Sequence, residues 1–407
     1  MAEDTLPNLF FVRQPIFDRK MEVLGYDLQF YPLPVDPPIT AMDDPRVVQA
    51  LLELVANTGL THMVGDKKAF VPAYRNLIFR LPSAVLPPEA TVLQIEKDAP
   101  LDNYYLEHLA RLVKMGYAVS LDQVNVVNEW VAHMAQLVQY MKVPFHGHDP
   151  NRVMSTVGQV KATRLKVIAQ AVEVYEEQVY ANRLGCDFVQ GMFFTRPRQV
   201  INRKIDASTM AVLRTLTLIQ DPSSDFPRLG KLIAQDARLS QRLLSVVNSL
   251  SYSLPNPVSS LEQAVAYMGL TQLRSWMTLL TMASIPGKPA ELTSMAILRA
   301  RMCELLGQSL GVRSDTFFVV GLFSVLDALL DVPMSQALTK IALSEEATDA
   351  LVNHQGLSGQ LLMVARVYEQ ANWAWLFQTS LKPDVLSSSY LHAARWATEV
   401  SSSVTRD

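Results

Sequence analysis

The sequence predicts an α/β barrel followed by an all-helical domain. Two observations carry this. From about residue 8 to 197, short β-rich runs alternate with stretches of helical periodicity, the pattern of repeated βα units. Such units close most economically as a (β/α)8 barrel, with its site at the C-terminal ends of the strands. After Pro197 the strand-like runs vanish and apolar residues recur at helical spacing. With 407 residues, 49% of them apolar, the chain can fill more than one core, so two domains are expected, 1–200 and 201–407.

The strands expected in order are Leu9–Arg13, Lys68–Val71, Leu77–Arg80, Thr91–Ile95, Ala118–Leu121, Tyr140–Val143, Arg164–Ile168 and Phe188–Gln190. Between them, Asp44–Asn57 and Leu101–Met115 read as helices, the second stopped by Gly116 in a left-handed cap. Beyond a short polar linker at 197–207, helices are expected over Met210–Ile219, Phe226–Gln235, Leu239–Asn248, Leu261–Met268, Thr271–Met282, Ser294–Leu310 and Phe317–Leu330. Ser259-Ser260-Leu261-Glu262 reads as a capping box with Ser259 as N-cap, and Ser344-Glu345-Glu346 marks a second helix start.

Composition excludes several classes. The 36 basic and 39 acidic residues give a net charge of −3 with no long blocks of one sign, which leaves no electrostatic footprint for nucleic acid. Cys186 and Cys303 lie far apart with no Cys/His cluster around them, so both are expected as buried thiols. The first residues lack the basic flank and apolar core of a signal peptide, and no apolar run is long enough to span a bilayer. A cytoplasmic protein without membrane insertion is the expectation.

The motifs Gln14-Pro15-Ile16-Phe17, Gly25-Tyr26-Asp27-Leu28 and Gln190-Gly191-Met192-Phe193-Phe194-Thr195-Arg196-Pro197 make the first half resemble an EAL domain, a cyclic-di-GMP phosphodiesterase barrel. The resemblance implies two divalent cations held by carboxylates and an amide, because hard anionic oxygens are what such ions need. Taken position by position, the family's first glutamate falls on Asp27 and its guanine-side arginine on Tyr31. The metal-binding asparagine falls on Pro72, and the metal-binding glutamate on Gln94. Of the paired aspartates, Asp122 is kept and the second is Gln123. Lys142 survives, but the aspartate that follows it in the family is Pro144. The Glu-Gly-Val-Glu element reads Gln170-Ala171-Val172-Glu173, and Gln190 is intact. An amide keeps the outline of a carboxylate and drops its charge, so the pocket is expected to keep its shape without holding two dications. Asp122 and Lys142 are expected to pair with each other, and Gln14 is the residue left for nucleotide contact.

In the second half, the order from Phe226 through Asp236-Ala237-Arg238-Leu239-Ser240 to Leu243–Ser249, then Val258 to Leu270, resembles the HDOD signature. HDOD domains are related to metal-dependent phosphohydrolases but lack their His-Asp pair, and here Ser324-Val325 stands in that place. His146, His148 and Asp149 lie together in a loop of the first half and are expected to face solvent. Asn248, Ser249 and Arg274 are the polar candidates for an interaction site on the helical domain.

These readings lead to the expectation of a non-catalytic signalling protein, an EAL-like barrel with altered acids joined to an HDOD domain. It would act through protein partners in cyclic-di-GMP signalling, without cofactor, with cyclic di-GMP itself a less favoured ligand. Two alternatives stand beside it: a cyclic-di-GMP receptor without turnover, and a metal-dependent phosphodiesterase using Asp27, Asp122, Glu173 and Lys142.

Overall fold

The computed structural model describes residues 9–34, 39, 41–81, 85–96, 102–163, 165–198, 207–221, 223–234, 236–249, 258–339, 341 and 343–404. The chain divides into two compact units, Met1–Phe194 with Phe377–Ser388, and Thr195–Leu376 with Ser389–Asp407.

The first unit is a closed barrel of eight strands in sequential order. They are β1 (Leu9–Asp18), β2 (Val23–Pro32), β3 (Lys68–Pro72), β4 (Thr91–Ile95), β5 (Ala118–Leu121), β6 (Tyr140–Pro144), β7 (Lys166–Gln170) and β8 (Phe188–Gln190). β1 runs antiparallel to both β2 and β8, and all other pairs are parallel. The expected strand at Leu77–Arg80 is instead the end of a helix, Arg75–Arg80, whose Leu77 and Ile78 are buried. Four apolar or β-prone residues in a row fit either state, and length alone does not arbitrate. The strand that fills the barrel is β2, absent from the expected strands although Leu24, Tyr26, Leu28 and Phe30 alternate with Gly25, Asp27 and Gln29.

Period two along the strands builds the site. Ile16, Phe70, Val92 and Ile168 pack together inside the barrel, with Leu24, Ala118, Tyr140 and Phe188 against them. Two residues along, on the same face of each strand, stand Gln14, Pro72, Gln94, Ser120, Lys142, Gln170 and Gln190. An apolar layer thus closes the barrel from within, and the next layer up is polar.

Gly191 follows directly on β8 with φ +150°. A Cβ there would lie 2.0 Å from the carbonyl oxygen of Val172 and 2.6 Å from its nitrogen. The close approach lets Val172 N–H donate to Gln190 O at 2.9 Å, which ties the loop after β7 to the end of β8. Gly191→Ala is therefore expected to cost at least about 3 kcal/mol, through backbone strain and overlap together. Urea denaturation followed by circular dichroism would show it.

The second unit is all-helical among its described residues, with Ala207–Gln220, Phe226–Ala234, Ala237–Ser249, Leu261–Ala283, Ala290–Ser309, Asp315–Phe323 and Gly356–Glu369 as its main elements. The segment Leu261–Ala283 is broken at Gly269, with φ 80° and ψ 167°, so two helices meet where the sequence predicted a gap between Met268 and Thr271. Its N-cap is Ser260, which accepts from Gln263 N–H, and Gln263 Oε1 accepts in return from Ser259 N–H at 2.9 Å. The capping box is thus displaced by one residue, with glutamine in the role expected of Glu262. Ser344 caps its helix as predicted, accepting from Ala347 N–H.

Inside this unit a charge network is buried. Arg299 donates from Nε to both Glu369 oxygens at 3.0 Å and from Nη2 to Oε2 at 2.7 Å, and both residues are less than one-twentieth exposed. Its Nη1 donates to Ser324 Oγ at 3.3 Å, and Arg366 donates to Ser324 O at 2.9 Å. Burial opposes the charge on Arg299, but Glu369 beside it outweighs burial and holds the guanidinium protonated.

Candidate functional site

The polar layer of the barrel mouth is organised around Asp27 on β2, which is 2% exposed. Its Oδ1 accepts from Gln94 Nε2 at 3.0 Å and its Oδ2 accepts from Gln190 Nε2 at 2.6 Å. Lys142 Nζ lies 3.2 Å from the same Oδ2, with no exposed side-chain surface, and sits 5.3 Å from the centre of the Phe70 ring. The lysine also donates to Gln94 Oε1. Gln94 is therefore a two-ended link: its amine serves the carboxylate and its oxygen serves the ammonium. Gln190 Nε2 reaches Gln14 Oε1 as well, at 3.2 Å, so the only part of Gln14 shown bonded points into this network.

Asp122, just beyond β5, does not take the lysine as its hydrogen-bond partner, contrary to expectation. Asp27 takes it, because both side chains project from the same layer inside the barrel while Asp122 stands one position past its strand. Asp122 is buried, and burial pushes its carboxyl up to about 6, against the pull of Lys142 and with a further push from Asp27. Its Oδ1 has no hydrogen-bond partner, and neither have Gln170 Oε1, Gln190 Oε1, Asn125 Oδ1 and Ser120 Oγ. Ser120 and Asn125 escaped the sequence reading; the signal for Ser120 was its place two residues after Ala118.

The raised Asp122 pKa fixes a sign. A carboxyl whose pKa is higher folded than unfolded favours the folded state while protonated, so its contribution is full below about pH 4 and is lost as pH rises through about 6. Asp122→Asn is thus expected to stabilise the barrel at neutral pH relative to its effect at pH 4, on the order of 2–3 kcal/mol. Melting curves of both proteins across that range would check it, and parallel curves would refute it.

The remaining sequence candidates are placed as follows. Pro72 ends β3 opposite Gln94 of β4 and brings no side-chain oxygen. Tyr31 is 38% exposed and packs by its ring against Phe377, with centroids 6.3 Å apart. Gln123 sits at φ 52° in the loop after Asp122. The backbone N–H of Glu173 donates to Glu177 at 2.7 Å. His146 pairs with Glu177 at 2.8 Å, His148 turns back onto His146 O, and Asp149 caps the helix Pro150–Ala162.

On the helical unit, Asn248 is spent on the backbone of Val258, donating at 2.9 Å and accepting at 2.7 Å. Arg274 donates to the carbonyls of Ile219, Asp221 and Ser224, closing the helix end after Gln220. Both bonds are structural. The side chain of Ser249 lies outside the described residues.

A pair of divalent cations does not fit these residues. Among the described residues no group of three or more His, Cys, Asp or Glu side chains is placed to hold a metal ion. Asp27 is already neutralised by a buried ammonium, and a dication about 4 Å from that ammonium would be repelled by roughly 8 kcal/mol at an effective dielectric of 20.

Comparison with known proteins adds three findings. Residues 207–364 match the HDOD domain family. The chain pairs an EAL-like barrel with an HDOD domain. It is 29% identical over 410 residues to the cyclic di-GMP phosphodiesterase CdgJ of Vibrio cholerae, covering 98% of this chain and 94% of that one. It is 24% identical to the uncharacterized protein YuxH of Bacillus subtilis, covering 96% and 98%. Among solved structures, the PaMucR phosphodiesterase in complex with c-di-GMP is 18% identical, covering 47% of this chain and 92% of that one at a TM-score of 0.37. BlrP1 of Klebsiella pneumoniae, in a manganese and cyclic-di-GMP complex, is 18% identical, covering 48% and 57% at a TM-score of 0.40.

The CdgJ likeness corrects the functional expectation. A relative aligned over 98% of this chain is named a cyclic di-GMP phosphodiesterase, which overturns the non-catalytic reading. The loss of acids had been weighed as loss of activity, but a count of carboxylates measures only one way of placing charge. Among the described residues no helix of this chain is long and apolar enough to cross a membrane.

Proposed function

We propose that the barrel mouth binds cyclic di-GMP and that this chain is a phosphodiesterase acting on it. The observation that carries the reading is the set of acceptors left without partners at the mouth, Asp122 Oδ1, Gln170 Oε1 and Gln190 Oε1. Buried acceptors are costly unless a ligand or water satisfies them. Guanine offers donors to the two glutamine oxygens in its ring N–H and exocyclic amine, which leaves Asp122 Oδ1 for a water, and the name of the CdgJ relative supports the same ligand.

The residues suit the reaction in two ways. Lys142 holds a fixed positive charge in a water-poor pocket, where it acts on an anionic phosphodiester more strongly than in bulk solvent. Asp122 Oδ1 is an acceptor able to orient a water and take its proton as the water oxygen bonds to phosphorus. The phosphorus–O3′ bond then breaks and the departing oxygen takes a proton from solvent to leave as a hydroxyl, giving the linear dinucleotide, while Asp122 returns its proton to solvent.

The test is incubation of purified protein with cyclic di-GMP, with chromatography for the linear product, alongside isothermal titration. Expected are saturable binding and product formation, the latter lowered at least about tenfold by Asp122→Asn. Binding without product would remove the hydrolytic part, and neither binding nor product would overturn the reading.

A further inference from the structure

We propose that Lys142, held between Asp27 and Gln94, is the only counter-charge the barrel mouth needs, so that the site stays organised and holds its ligand without Mg²⁺ or Mn²⁺. Only the ligand half of this statement rests on the proposed function.

Gln94 sets the charge pattern of the site. A glutamate there would face Asp27 with two acceptors, and the pair would need a cation between them. Glutamine instead donates to Asp27 at 3.0 Å and leaves its oxygen for Lys142, so the amide joins carboxylate and ammonium with no unmet valence between them. Gln190 supplies the third donor to Asp27, at 2.6 Å. Three donors occupy three of the roughly four acceptor positions of a carboxylate that is 2% exposed, which leaves a metal little to bind.

Charge tells the same story. Asp27 and Asp122 are the carboxylates set beside Lys142, and a single ammonium balances one of them. Two dications in the same space would leave a large excess of positive charge, whereas glutamines at 94 and 170 lower the negative charge toward what one lysine can match, Gln123 being exposed in its loop. The amides at 94 and 170 and the lysine are therefore one arrangement, in which the retained ammonium is left to balance the remaining acids alone. Lys142 is fully buried and rests over Phe70, which also fixes its position as a coordination sphere would fix a metal.

Melting of the full chain in chelator and in Mn²⁺ tests this without any ligand or turnover. The unsubstituted protein is expected to melt at the same temperature in both, and a rise in Mn²⁺ would overturn the proposal. Lys142→Met removes the ammonium and leaves Asp27 and Asp122 unbalanced, so it is expected to melt lower in chelator and to regain roughly 3 °C or more in Mn²⁺. A folded variant indifferent to Mn²⁺ would overturn it too. Should Lys142→Met not fold, Gln94→Glu is read instead, since it keeps the lysine and restores an acceptor pair; Mn²⁺ stabilisation is expected and its absence refutes. In the ligand arm, titration with cyclic di-GMP is expected to give the same affinity within about twofold in chelator and in Ca²⁺. Binding in Ca²⁺ alone would overturn the inference and leave the proposed function standing. Absence of binding in both, with unresponsive melting, would overturn the proposed function and leave Lys142 standing as the counter-charge.

Discussion

Replacing Arg299 by methionine is expected to destabilise the helical unit by about 3–5 kcal/mol. The guanidinium makes three contacts with Glu369 between 2.7 and 3.0 Å and reaches Ser324 with the remaining nitrogen. Removing it strands Glu369, a carboxylate that is 3% exposed and whose pKa burial already drives upward. The cost is therefore that of an unpaired buried charge more than that of a lost bond. Arg366 compensates only in part: its charge already acts on Glu369, but its Nη2 is committed to Ser324 O. The double variant Arg299→Met with Glu369→Met removes both charges and is expected to recover most of the loss. Four of the five tryptophans, Trp276, Trp373, Trp375 and Trp396, lie in the helical unit, so tryptophan fluorescence in denaturant reads this unit selectively. A double variant as unstable as the single one would show that packing, not charge, sets the cost.

How this network escaped the sequence is instructive. Ser324-Val325 was noticed only as the absence of a His-Asp pair, whereas the structure shows Ser324 holding Arg299 through its hydroxyl and Arg366 through its carbonyl. The partner Glu369 is 70 residues away from Arg299, and no local pattern announces a pairing over that separation. Helical periodicity, by contrast, is local, and so the helix breaks at Gly269 and the cap at Ser344 were legible.

The barrel follows the same division. Strands Thr91–Ile95, Ala118–Leu121 and Phe188–Gln190 agree with expectation because β-branched and apolar residues dominate each, with one polar residue apiece at 94, 120 and 190. β2 was missed because its inward positions carry Gly25 and Asp27, the residues that make it part of the site. Local rules fail where a strand serves chemistry. The candidate site was likewise half legible. Motifs located Asp27, Gln94, Lys142 and Gln190, but the choice of Asp27 over Asp122 as the partner of Lys142 depends on which strands are brought together inside the closed barrel.

The second large effect is expected at that partner. Asp27→Ala should destabilise the barrel by about 3–5 kcal/mol at neutral pH, because Lys142 is left fully buried without its directly paired carboxylate and with only the charge of Asp122 near it. Three donors lose their acceptor together: Lys142 Nζ, Gln94 Nε2 and Gln190 Nε2. The amides can turn toward other acceptors, but the ammonium keeps only Gln94 Oε1, a neutral oxygen. A buried lysine without its paired carboxylate lowers its pKa, so the variant is expected to recover stability as pH rises and the amine sheds its proton, opposite in sign to the Asp122 effect. Asp27→Asn separates the parts: it keeps an acceptor for one amide and removes the charge, so a loss close to that of alanine assigns the cost to the ion pair, and a small loss assigns it to the hydrogen bonds. Chemical denaturation of both variants at neutral and alkaline pH, followed by circular dichroism, reads the two contributions. If stability fails to rise with pH in Asp27→Ala, Lys142 is not held charged by Asp27, and the case for Lys142 as the only counter-charge the mouth needs falls with it.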